Sequence, residues 1–201
     1  MAHAWMTEAR RIPAATDGGP LRGGAPRAVW LTLGTAPPTV SIASTAQRLS
    51  CERRPCHLIW NPVTGEIAQL VSVLRAARAL GGPGHLERSG HVRTSDVNTE
   101  GRVCAQIGVL AHPAEPFTDG PLAGLIEIMK WLDSWGVSRR WPAGPPAADC
   151  RCRRSRALWA RGGHFGASQV PGCENSGPGG VDITRLTGSA PHNLRPVSSA
   201  A

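Results

Sequence analysis

A chain of 201 residues with 41% apolar side chains is long enough for one domain with a real core. Its formal net charge of +8 favours a polyanionic partner (nucleic acid, anionic lipid or an acidic wall polymer) without choosing among them. No stretch approaches the roughly 20 apolar residues of a membrane span. The opening "MAHAWMTEARRIP" has no apolar core of signal-peptide length, so a cytoplasmic chain with no membrane partner is expected. Lys130 is the sole lysine, and the arginine run between Arg151 and Arg156 reads as a solvated loop. Six cysteines (Cys51, Cys56, Cys104, Cys150, Cys152 and Cys173) are expected as free thiols, and their spacing is poor for a zinc ribbon.

In chain order, residues 1–26 read as an extended, glycine-rich lead-in, and "RAVWLTL" (27–33) as a strand. "SIASTAQRLS" (41–50) predicts a short helix. "CHLIWNPVTGEIAQLV" (56–71) predicts a β-hairpin with a loop of about five residues around Asn61, Pro62 and Gly65. Residues 81–101 form a long polar loop, and "RVCAQIGVL" (102–110) a buried strand. "DGPLAGLIEIMKWLDSWG" (119–136) predicts a helix capped by Asp119, with Pro121 in its first turn. Its apolar face is Leu122, Leu125, Ile126, Met129 and Leu132, and Gly136 ends it. Residues 142–156 read as irregular and 188–201 as a disordered tail. Strands interleaved with helices predict an α/β fold: a central mixed β-sheet flanked by helices, with long Gly/Pro-rich loops. The domain is placed at 27–187 and expected as a monomer.

Four stretches carry a resemblance: "CHLIWNPVTGEIAQLV", "NTEGRVCAQIGV", "PFTDGPLAGLIEIMKWLDSWGVSRRWPAGPP" and "GGHFGASQVPG" with "PGGVDITRL". Together, in this order, they resemble actinobacterial and phage (endolysin-like) N-acetylmuramoyl-L-alanine amidases. These belong to the zinc-dependent type-2 amidase, or peptidoglycan-recognition, superfamily. The likeness runs from about residue 10 to residue 187. It implies a cleft for the glycan–peptide junction of peptidoglycan, three zinc ligands, and a glutamate that shuttles the proton while the amide between N-acetylmuramic acid and L-alanine is hydrolysed. The matching ligand positions here hold Leu31, Ala167 and Gly177, and the glutamate position holds Gly108. The stretches "AADCRCRRSR" and 81–97 also depart from the pattern. The resemblance therefore implies a degenerate, catalytically inactive domain with no bound zinc. What remains is weak binding of peptidoglycan fragments, with Asn98, His164, Ser168 and Gln169 as the substrate-binding candidates.

Two alternatives stand beside this reading. His164 and Cys173, nine residues apart, are both zinc-competent and would serve an active amidase with relocated ligands, although the first-strand ligand is still missing. The charge alone would suit non-specific binding of nucleic acid, without any sequence-specific recognition motif. Trp131, Trp135, Trp141 and Trp159 read as core or rim packing rather than a sugar-stacking platform, and His57 as a structural or cleft residue rather than a metal ligand.

Overall fold

The computed structural model describes residues 1–34, 40–81, 96–113, 115–147, 154–173 and 177–188. The tail from residue 189, most of the 81–101 loop and residues 148–153, which include the first half of the arginine run, lie outside them. The elements are β1 (Arg10–Arg11), β2 (Arg27–Thr32), α1 (Ile42–Cys51), β3 (Leu58–Trp60), β4 (Ile67–Gln69), β5 (Cys104–Val109), α2 (Leu125–Ser134), α3 (Arg156–Ala160), β6 (Gly163–Gly166) and α4 (Ile183–Thr187). One sheet orders them β1-β4-β3-β5-β2-β6. Only β3 and β4 pair antiparallel; the other neighbours run parallel, so the sheet is mixed as expected.

Alternation along the strands sorts the core into two layers, because successive side chains leave opposite faces of a sheet. Trp30, Leu58, Trp60, Ile107 and Val109 pack on one face against Ile128, Met129, Trp131 and Leu132 of α2. Val29, Leu31, Ile59, Cys104 and Phe165 pack on the other, against Ile42, Ala46 and Leu49 of α1 and Trp159 of α3. All six residues of β2 are buried, as befits a strand covered on both faces. No helix among the described residues is long and apolar enough to cross a membrane.

Local chemistry explains several element ends. Ser41 caps α1, its hydroxyl accepting from the Ser44 N–H at 3.1 Å. In the hairpin, the Asn61 side chain accepts from Val63 N–H and Thr64 N–H, and Gly65 takes φ 79°; the connection spans residues 61–66. The lead-in is integral to the domain. Strand β1 pairs with β4, Met6 is 1% exposed, and the Gln69 side chain accepts from Met6 N–H at 2.6 Å and donates to Ala4 O at 2.9 Å.

The expected helix at 119–136 starts later than its capping signals indicate. Phe117–Asp119 forms its own 3-10 turn, and α2 begins at Leu125 behind Gly124 with φ 82°. Tertiary ties hold the chain between them. Trp60 Nε1 donates to Ala123 O at 2.7 Å, Ala123 N–H donates to Pro62 O at 2.9 Å, and a Cβ on Gly124 would meet Gly65 O at 2.9 Å. The buried face is accordingly Leu125, Ile128, Met129, Trp131 and Leu132, whereas Ile126 is 65% exposed. Replacing Ile128 by Ala is expected to cost about 2–5 kcal/mol of stability. Ile126→Ser should stay within about 0.5 kcal/mol; urea unfolding of the two variants checks the assignment.

Candidate functional site

Three parallel strands bring the four positions singled out in the sequence to one place. Leu31, next to last in β2, lies in register with Gly108 of β5. Trp30 is in register with Gly166, the last residue of β6, so Ala167 follows directly beyond that pairing. The Ser168 N–H donates to Gly177 O at 3.0 Å, and a Cβ on Gly177 would overlap the Thr32 hydroxyl oxygen. All four thus gather at the carboxyl ends of β5, β2 and β6, the end at which open parallel sheets bind their ligands.

The contents of that place are apolar. Leu31 is 2% exposed and shares one hydrophobic layer with Ala167 and Cys56. A Cβ on Gly108 would meet the two Leu33 methyls at 2.9 and 3.1 Å and Cys56 Sγ at 3.0 Å, so Leu33 and Cys56 occupy the space of a longer side chain there. Thr32 does the same for Gly177, its buried hydroxyl making no hydrogen bond among the described residues. The Cys56 thiol donates to Leu58 O at 3.0 Å, and burial pushes its pKa up to about 12, which keeps it protonated and inert. These residues do not fit a zinc ion. Leu31, Ala167 and Gly177 carry no donor side chain, and no three His, Cys, Asp or Glu side chains among the described residues are grouped to hold a metal.

The four substrate-binding candidates are buried, and three of them spend their side-chain polar groups inside the protein. Asn98, 2% exposed, accepts from Gln106 Nε2 at 2.9 Å and donates to Gly81 O and Asp96 Oδ1. Gln169 accepts from Trp141 Nε1 at 2.7 Å and Gly166 N–H at 3.0 Å, and donates to Gly144 O at 2.8 Å, fastening the proline-rich loop to the end of β6. Ser168 is fully buried, with its carbonyl accepting from Arg154 Nε. His164 lies between the Trp30 and Trp141 rings, each 6.0 Å away, and its Nδ1 accepts from Trp30 Nε1 at 3.0 Å. The Trp30 contact puts His164 on the α2 face of the sheet, whereas Cys173 belongs to the opposite layer with Leu31 and Ala167. The two proposed relocated ligands are therefore separated by the sheet.

His57 is structural, as expected. Its Nδ1 accepts from Gln106 N–H at 3.0 Å and its Nε2–H donates to Arg75 O at 2.9 Å. Sequence reasoning missed Gln106, whose side chain joins Asn98 to Ala79 N–H, and the three filling residues Thr32, Leu33 and Cys56. The polar Gln106 inside the apolar run of β5 was the available signal. The fillers had none.

Among solved structures, a selenomethionine AmpD derivative matches with a TM-score of 0.51 at 16% identity, covering 94% of this chain and 98% of that one. Staphylococcus aureus hydrolase AmiA, solved in complex with its ligand, gives 0.47 at 7% identity, covering 85% and 73%. The chain has the fold of AmpD: a mixed six-stranded sheet with flanking helices. No family model and no curated protein matches it.

Burial lowers the pKa of His57 to about 4 and of His164 to about 3, both below the ordinary value near 6.5. Both are neutral in the fold, so above pH 6.5 they leave stability unchanged. Below it the unfolded chain takes up protons that the folded chain refuses, and stability falls as the pH drops toward 4. Each histidine is expected to contribute a slope approaching about 1.4 kcal/mol per pH unit. Urea titrations of the wild type and His164→Gln between pH 7 and 4.5 check this; the variant should show a shallower decline.

Proposed function

We propose that this chain is a non-hydrolysing protein on a peptidoglycan-amidase scaffold, with weak binding of muramyl-peptide fragments as its residual activity. One observation carries the reading: the four positions gather at the carboxyl ends of β5, β2 and β6, two of them hold Leu31 and Ala167, and Thr32, Leu33 and Cys56 occupy the space that side chains at Gly177 and Gly108 would need. Amide hydrolysis near neutral pH needs an activated water and a placed group to carry its proton. Leu31, Ala167, Gly177 and Gly108 supply neither. Cys56 is held protonated, and His164 stays neutral on the opposite face. The sequence resemblance to N-acetylmuramoyl-L-alanine amidases supplies the substrate class, and the likeness to AmpD supports it at the level of fold.

The purified protein, incubated with a labelled N-acetylmuramoyl-L-alanyl peptide, is expected to release no more label than buffer does. Isothermal titration with wall fragments should give a weak, saturable signal. Turnover by the wild type would overturn the reading of inactivity, and a flat titration the reading of residual binding.

The occupied space also makes a specific demand on repair. Leu31→His, Ala167→His and Gly177→Asp together are expected to lower stability by about 1–3 kcal/mol through overlap with the Thr32 hydroxyl. Adding Thr32→Ala should recover part of that loss. Thermal melts compare the triple and quadruple variants, and metal analysis of the quadruple variant tests whether the introduced side chains share one point.

A further inference from the structure

The amino ends of the same three strands carry a different chemistry. Arg27 opens β2 and lies in register with Cys104 on one side and Gly163 on the other. Arg102, two residues before Cys104, and Arg161, two before Gly163, therefore stand level with each other on either flank of β2. Arg22 joins them through its N–H bond to Thr99 O at 2.8 Å, and Arg140 through its carbonyl, which accepts from His164 N–H at 2.8 Å. All four of Arg22, Arg102, Arg140 and Arg161 are exposed.

Two carboxylates at this end are already occupied. Glu100 is held by Arg156 at 2.6 and 2.9 Å, by Trp159 Nε1 at 2.6 Å, and by the buried Arg27 guanidinium at 3.8 Å. Asp133 is held by Arg139 at 2.7 Å. Arg22, Arg102, Arg140 and Arg161 have no ion pair among the described residues. Beside Arg102 opens a cavity of about 260 Å³ lined by Arg102, Val103, Ser134 and Trp135. The Trp135 indole is half-buried there, and Arg102 Nη2 donates to its backbone carbonyl at 3.2 Å.

We propose that this arginine rim with Trp135 is a binding site for single-stranded nucleic acid. The four guanidinium groups would track the phosphodiester backbone, and the indole would give a base a stacking surface. The aromatic at the rim favours this ligand over a phosphodiester polymer without bases. The contacts proposed are to phosphates and to the face of a base, so readout is independent of sequence. The site goes beyond the amidase-scaffold reading and does not depend on it.

Fluorescence anisotropy with a labelled oligothymidylate of 20 nucleotides, across a salt series, tests the proposal. Four backbone contacts predict a slope of log affinity against log salt of about −3 for the wild type. Arg102→Gln with Arg161→Gln should bring it to about −1.4, two contacts fewer. Arg53→Gln with Arg54→Gln removes the same charge beyond the end of α1 and should leave the slope near about −3. Trp135→Leu should weaken binding at least about fivefold with little change in slope; Arg140→Gln with Arg161→Gln repeats the charge test without touching Trp135. Circular dichroism of each variant must match the wild type. A slope for the Arg53 and Arg54 variant equal to that of the two rim variants would mean net charge alone and overturn the site, as would no binding at low salt. Binding of poly(glycerol phosphate) as tight as that of the oligonucleotide, unaffected by Trp135→Leu, would overturn the nucleic-acid assignment.

Discussion

Strand β2 is hydrogen-bonded along its length to β5 and along its first four residues to β6, both in parallel. That double pairing is the constraint from which both ends of the molecule follow. It places Leu31 beside Gly108 and brings Ala167 to the same level. It also stacks Arg27 between the chain segments that carry Arg102 and Arg161. Parallel pairing gives a sheet two chemically distinct ends, since all three strands start together and finish together. Here the described residues at the finishing end include the apolar Leu31, Leu33, Cys56 and Ala167, while the starting end carries exposed arginines.

The polar groups buried in the layer beside α1 reinforce this arrangement. His57, Gln106 and Asn98 form a hydrogen-bonded chain running from β3 across β5 to the turn before it, and each member has partners for its side chain. A buried network costs little when its members are satisfied, and a half-satisfied one is destabilising. On the other face His164 is less well provided for. With Nδ1 accepting from Trp30, its Nε2–H is buried without a partner among the described residues. The stacking of His164 between two indoles offsets part of that cost.

Much of the fold was legible because its cues are local. Ser41 ahead of an apolar-periodic stretch, Asn61 and Gly65 between two short apolar runs, and the loose apolar alternation of 27–33 each act within a few residues. The start of α2 was misread because Asp119 and Pro121 are sound local signals overridden by distant ones: the Trp60 and Pro62 contacts to Ala123, and the close approach of Gly65 to Gly124. Ile126 and Ile128 exchanged roles for the same reason, since shifting the start of a helix rotates the face it buries. At the site, sequence showed which positions depart from the pattern of the resemblance but not what packs beside them. Thr32, Leu33 and Cys56 become neighbours of Gly177 and Gly108 only through the three-strand register. That is a non-local property, which no spacing along the chain reveals.

The overlap between the Thr32 hydroxyl and a Cβ on Gly177 bears on which substitutions the chain tolerates. While residue 177 is glycine, Thr32 is free to point its hydroxyl into the volume a side chain there would fill. Any larger residue introduced at 177 meets a space already taken. The two positions are therefore coupled: enlarging residue 177 alone is unfavourable, although enlarging it and trimming Thr32 together need not be. What one position accepts depends on which residue stands at the other, however far apart the two lie along the chain.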